Sequence, residues 1–428
     1  MNHFRYHDGR LYAEGVCLTE LAENIGTPFF CYSSASIEDN YNAFSHAISS
    51  LDADICYAVK ANSNKAVLST LSRLGVGADV VSAGEIERVL SAGILAKKIV
   101  FSGVGKTFDE LCKALLYGVR RINIESFEEI EILSKAAEAT GCMAEVAVRV
   151  NPDVDAKTHD KISTGRQEDK FGIDFELAKE AYALLREKHA LKITGVAVHI
   201  GSQLIDLNPF RRAYSRLSDF AIQLRSAGYE ITELDLGGGL GIAYNNELVP
   251  TLEEYAAVVS ETVGNLGCKL VFEPGRRIVG NSGVLVTKVI FIKEGSARRF
   301  CVVDSAMNDL IRPTLYNAYH QIISVREPNK SAISSRMDVV GPICESGDFF
   351  ARDRALPPMA AGDLMAVLTA GAYGAVMGST YNSRSLAPEV MVNGDKFALV
   401  RKRFTVEDMM NLESIPTWLE KESKRPVE

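Results

Sequence analysis

Eight short apolar runs recur between residues 54 and 272, with stretches of helical spacing between them. They are Asp54–Lys60, Gly77–Val81, Lys98–Phe101, Arg121–Ile124, Ala144–Val150, Ile193–Ile200, Leu234–Leu236 and Leu270–Phe272. The runs are continuous and β-branched rather than alternating, which is how parallel strands buried on both faces read. Among the intervening stretches, Ser82 precedes Glu85 and an apolar run to Leu90, and Ser126 precedes Glu129 in the same way. A serine followed three residues later by glutamate marks a helix start. Such β–α alternation predicts an α/β fold, a parallel (β/α)8 barrel of the TIM type. An open doubly wound sheet is the alternative.

After Asn281 the rhythm changes. Val284–Ile292, Phe300–Asp304, Met365–Leu368 and Glu389–Val392 read as strands without regular helices between them, the last followed by an Asn393-Gly394-Asp395 turn. The start carries a hairpin-like segment, Tyr6–Tyr12. The division this predicts is a barrel over residues 30–280, inserted into a second, mostly antiparallel β domain built from 1–29 and 281–428. The charged tail, Glu420–Glu428, is expected to be loosely held.

Composition narrows the function. Lysine and arginine number 47 against 55 acidic residues, a net charge of −8. With no basic run, the chain is a poor nucleic-acid binder, because that affinity comes mainly from neutralising phosphates. The start lacks the apolar core of a signal peptide. The most apolar stretch, Leu364–Gly378, is interrupted by glycines and shorter than the ~20 residues a membrane span needs. Eight cysteines lie far apart with no C-x-x-C, so neither a metal site nor a disulfide framework is expected, and a reducing cytoplasm is the simplest setting.

A TIM barrel places its chemistry at the C-terminal ends of its strands. There stand Lys60, Asp79, Arg149, His199 with Ser202, the glycine run Gly237–Gly241, and Glu273-Pro274-Gly275-Arg276. Bare glycine amides after strands seven and eight suit a phosphate, although a tight turn without a ligand would read the same. A Rossmann fingerprint fails because Ile242 stands where glycine is needed, and Gly105-Lys106-Thr107 lacks the leading glycine of a Walker loop at Val100. Lys60 at a buried strand end would have a lowered pKa and could condense with an aldehyde; a lysine reaching out to the barrel rim is the plainer reading. His199 could be a core histidine, and Glu273 could simply pair with Arg276. Their coincidence points to pyridoxal 5'-phosphate, which needs a lysine, a phosphate cradle and a charged partner for its ring nitrogen.

The segments Tyr57–Asn62, His199–Gln203, Gly237–Gly239, Glu273–Arg276 and Cys344–Asp348 together resemble the diaminopimelate decarboxylase family, in the alanine-racemase-like fold class, over nearly the whole chain. The resemblance implies decarboxylation of meso-2,6-diaminopimelate to L-lysine by a homodimer. Lys60 would hold the cofactor, His199 would stack on its ring, and Glu273 would bind its nitrogen. Ser202, Gly239, Pro274, Gly275, Arg276 and Tyr373 would line it. Arg276, Arg312, Tyr316, Glu345 and Tyr373 would bind substrate. Cys344 would return a proton to the substrate carbon, with Cys344 and Glu345 supplied by the neighbouring subunit. Ser385 and Leu386 stand where the family usually has proline and arginine, a local departure.

Decarboxylation of ornithine, arginine or carboxynorspermidine is the nearest alternative. Amino-acid racemisation is disfavoured because the racemases typically have arginine where Glu273 stands. A non-catalytic cofactor carrier would lack the second domain.

Overall fold

The computed structural model describes residues 3–155, 164–165, 169–329 and 331–420. The charged tail beyond residue 420 lies outside them.

All eight apolar runs form strands of one barrel: β1 (Ala53–Ala58), β2 (Gly77–Val80), β3 (Ile99–Phe101), β4 (Arg121–Ile124), β5 (Ala144–Asn151), β6 (Leu191–Ala197), β7 (Glu233–Asp235) and β8 (Lys269–Phe272). Each pairs with the next in parallel. Pairing of β8 with β1, at Leu270 with Ala53 through Phe272 with Ile55, closes the ring and removes the open-sheet alternative. Closure leaves no exposed edge.

The helix starts follow the capping signals. The Ser82 and Ser126 side chains accept from the Glu85 and Glu129 amides. The two glutamates reach one residue farther back than a capping box requires, to the amides of Val81 and Glu125. After β8 the regular alternation fails. Arg276–Val279 is a single helical turn, and the vacant place in the outer ring goes to Ser34–Ala47, the helix that precedes β1. That short turn lets the chain leave the barrel at once.

It leaves into Gly283–Glu294, the central strand of a nine-stranded, mostly antiparallel sheet. Phe29–Ser33 pairs with this strand immediately before the barrel begins, and Glu389–Asn393 lies in parallel beside Phe29–Ser33. The chain thus enters and leaves the barrel from neighbouring strands. The sequence reading missed Ile322–Ser324, Ser335–Val340, Phe349–Leu356 and Lys396–Arg401, whose polar residues dilute the apolar pattern. The N-terminal hairpin forms a separate three-stranded sheet. Its Phe4, Leu11 and Val16 pack with Val284, Val286 and Ala366 of the large sheet. At the departure from the family pattern, Leu386 makes a backbone bridge to Phe404. No helix among the described residues is long and apolar enough to cross a membrane. All eight cysteines are free.

Candidate active site

Lys60 follows β1 on a single turn, Val59–Ala61. Its Nζ lies 3.0 Å from Oδ2 of Asp79, a fully buried carboxylate on β2 whose other oxygen has no partner among the described residues. The pKa of Lys60 is raised, not lowered as its burial alone predicts. Burial does favour the neutral amine, but Asp79, Tyr373 and Glu273 together outweigh it and hold the ammonium above its ordinary value. About a third of the side chain opens onto a cavity of roughly 530 Å³. That cavity is also lined by Arg149, His199, Ser202, Arg276, Tyr316 and Tyr373.

The glycine run first serves backbone packing. Gly237 has φ +64°, and a Cβ there would stand 2.5 Å from the Val198 carbonyl; at Gly238 it would overlap the Glu273 carbonyl. The loops after β6, β7 and β8 therefore close on one another only without side chains. Three of the amides are already used: Gly241 N–H donates to the Leu204 carbonyl, Gly237 N–H to Asp235 and Gly238 N–H to His199 Nδ1, at 3.1 Å. That bond leaves the proton of a neutral His199 on Nε2. Burial, then Arg149 and Lys60, push the imidazole well below its ordinary pKa, so the ring is neutral.

Glu273 does not pair with Arg276. Its Oε1 has no partner among the described residues. Burial first, then the Asp235 and Asp79 carboxylates, push its carboxyl well above the ordinary range. Asp235 is itself fixed by Arg121, Asn123 and the Gly237 amide, so it cannot turn away.

Arg276 instead donates to the Tyr244 hydroxyl at 2.6 Å and to Ser202 Oγ at 3.0 Å, and its guanidinium lies over the Tyr373 ring. Tyr373 takes φ +54°, an uncommon conformation held by its amide donating to the Ala61 carbonyl at 2.8 Å. Arg312 opens a short helix, Arg312–Tyr316, and stacks on the other ring, Tyr244. Both arginines are buried, and neither forms an ion pair among the described residues. A buried guanidinium without a carboxylate is costly unless an anion arrives.

Cys344 and Glu345 are placed elsewhere. Both are exposed and absent from the cavity lining. Their loop is held by Asp348, which accepts from the Ile343 and Met307 amides, while the Cys344 amide donates to Asn382. Lys106, the lysine of the false Walker motif, is buried against Glu129 and bonded to the Gly103 and Asn123 carbonyls.

The chain resembles known proteins along nearly its whole length. Residues 34–280 match the family model for the pyridoxal binding domain of pyridoxal-dependent decarboxylases. Diaminopimelate decarboxylase of Pseudomonas aeruginosa is 49% identical over 415 residues, covering 97% of this chain and 99% of that protein. The enzyme of that name from Zymomonas mobilis is 47% identical over 421 residues, 97% and 99% of the two chains.

The chain belongs to the diaminopimelate decarboxylase family.

The solved structure of the family member from M. jannaschii in complex with L-lysine superposes with a TM-score of 0.92 at 36% identity, covering 98% of this chain and 99% of that one. The Helicobacter pylori enzyme, also with L-lysine, gives 0.88 at 40% identity, covering 95% and 100%. The cofactor of this family is pyridoxal phosphate, and the residues present fit it. A lysine faces the cavity, one oxygen of a buried carboxyl lacks a partner, a neutral imidazole shares the lining, and a buried arginine lacks a counter-ion. Sequence reasoning left three residues without a role. Asp79 had a signal, being polar in an apolar strand. Tyr244 and His320, which hold the two arginines, had none.

Proposed function

We propose that the protein decarboxylates meso-2,6-diaminopimelate to L-lysine and carbon dioxide. The observation that carries this reading is the convergence of Lys60, Glu273 and the uncompensated buried Arg276 on one barrel mouth, with a second uncompensated buried arginine, Arg312, stacked on the Tyr244 that Arg276 bonds. One guanidinium suits a phosphate and the other a carboxylate.

When bound, pyridoxal phosphate supplies a conjugated ring that accepts the electron pair left behind by departing carbon dioxide. The chain supplies the rest. Lys60 Nζ is the attachment point; it holds its proton against Asp79 and must release it first. Glu273 presents a carboxyl where a ring nitrogen can share its proton. His199 offers a neutral flat face, oriented by the Gly238 amide. Ser202 and Arg276 are joined at the phosphate side. Arg276, Arg312, Tyr316 and Tyr373 receive the substrate.

The barrel, which the sequence placed at 30–280 and which begins after the sheet strand Phe29–Ser33, carries the cofactor in this reading, and the β domain contributes the remaining groups. Cys344 and Glu345 act across a homodimer interface in the partner's site, Cys344 Sγ delivering the proton that replaces carbon dioxide. Their exposure, away from their own chain's cavity, supports that assignment. A cytoplasmic enzyme is consistent with eight free cysteines.

The test is carbon dioxide release from meso-diaminopimelate, ornithine and arginine by purified protein loaded with pyridoxal phosphate. Release from diaminopimelate should dominate; preference for ornithine or arginine would refute the substrate assignment. Borohydride reduction and peptide mapping should place the cofactor on Lys60. Label on Lys65 or on Lys106 would refute the attachment point.

A further inference from the structure

His320 has no part in the chemistry above, yet it is fully buried beside Arg312. Its Nδ1 lies 2.9 Å from the Leu368 carbonyl, which can only accept, so Nδ1 carries the proton. Its Nε2 lies 2.7 Å from Arg312 Nη1, which can only donate, so Nε2 is the acceptor. Both nitrogens are satisfied by one neutral tautomer and no other state. Burial first, then Arg312, push the ring down to about 3, consistent with that tautomer throughout the working pH range. The Arg354 guanidinium holds the His320 backbone carbonyl at 2.9 Å.

The arginine is gripped from a second side. Its guanidinium lies 4.5 Å from the Tyr244 ring centre, and that ring meets His320 edge-on at 5.2 Å. Tyr244 in turn accepts from Arg276. Nη1 is therefore tied back, whereas the buried Nε on the guanidinium's other edge has no partner among the described residues. A fork held at one nitrogen and open along the opposite edge is pre-aimed for two-point recognition of a carboxylate.

We propose that His320 is a positioning residue, whose neutral ring aims the Arg312 guanidinium at the substrate carboxylate. This rests on the reading that Arg312 meets that carboxylate. Two substitutions separate the two ends of the ring. His320→Asn keeps a donor near Leu368 but has no acceptor within reach of Arg312. His320→Gln places an acceptor near the Nε2 position.

Binding of L-lysine and of 1,5-diaminopentane, which lacks the carboxylate, is measured by calorimetry on each holoenzyme, with cofactor content read by absorbance. His320→Asn should bind L-lysine about tenfold more weakly than wild type, with diamine binding and cofactor content unchanged. His320→Gln should stay within about threefold of wild type for both. Equal weakening of both ligands, equal loss in the Asn and Gln variants, or no loss in the Asn variant would each overturn the proposal. Arg312→Leu is the control. If it weakens L-lysine selectively while His320→Asn does not, the positioning role fails and the Arg312 reading stands. If it weakens neither ligand selectively, the Arg312 reading falls and takes the proposal with it.

Discussion

Replacing Glu273 with glutamine separates its catalytic value from its structural cost. Without cofactor this carboxyl is buried, and the Asp235 and Asp79 carboxylates stand close enough to disfavour its charge. Its folded pKa is raised, so the fold favours the protonated form, and stability is lost as pH rises from the ordinary carboxyl range toward the folded value. Glutamine has the same shape as the protonated acid and removes that cost. Cofactor-free Glu273→Gln should therefore unfold no more easily than wild type at pH 8, and the difference should shrink toward pH 5. With cofactor bound, the same substitution removes the proton-sharing charge at the ring nitrogen. A loss in kcat of about 10²-fold, or ~2.7 kcal/mol of transition-state stabilisation, is expected, with cofactor affinity largely kept. Thermal melts of the cofactor-free protein and steady-state kinetics of the holoenzyme are both needed. A Tm several degrees below wild type at pH 8, or a kcat within about threefold of wild type, would refute the reasoning.

Other perturbations address separate parts of the site. Arg312→Lys removes the planar fork but keeps the charge; kcat/KM for diaminopimelate should fall about tenfold or more with cofactor content unchanged, and an unmoved kcat/KM would exclude a carboxylate contact. Lys60→Ala and Cys344→Ala proteins should each be nearly inactive. Mixed with demonstrated subunit exchange, they should recover about a quarter of wild-type activity, since half the dimers then hold one intact site; exchange without recovery would place both residues in one subunit's site or remove Cys344 from the chemistry. Glu85 is pushed up to about 7, chiefly by burial, so its charge destabilises the fold increasingly from pH 4.5 to 7. Glu85→Gln, which can still accept from the Val81 amide, should gain ~1–2 kcal/mol of stability at pH 8 and nothing at pH 4; equal melting shifts at both would show that burial of the charge is not the cause.

The barrel was legible in the residues because a parallel strand buried on both faces leaves an unbroken local run of apolar side chains. β1, β4 and β6 announce themselves within a few residues. The helix caps at Ser82 and Ser126 were equally local, as were the strand-end positions of Lys60, His199 and Glu273. In the second domain the signal weakened: Ser335–Val340 and Phe349–Leu356 carry charges on a partly exposed sheet, so their pairing is set by neighbours rather than by their own pattern.

What lay beyond the sequence was every property that depends on who sits beside whom. Burial of Lys60 suggested a lowered pKa, and only the fold showed Asp79 at 3.0 Å reversing that sign. The glycine run was read as an anion cradle, and only the fold showed that it lets three loops touch while spending three of its amides. Tyr244 and His320 sit in irregular segments with no periodicity to mark them, yet they hold the two arginines of the site. Local patterns record what a residue needs from solvent, and they determined the barrel and the ends of its strands. Electrostatics and aim depend on partners distant in sequence, falling off over a few ångströms, so only tertiary structure decided the charge of Lys60, the tautomers of the histidines and the direction of Arg312.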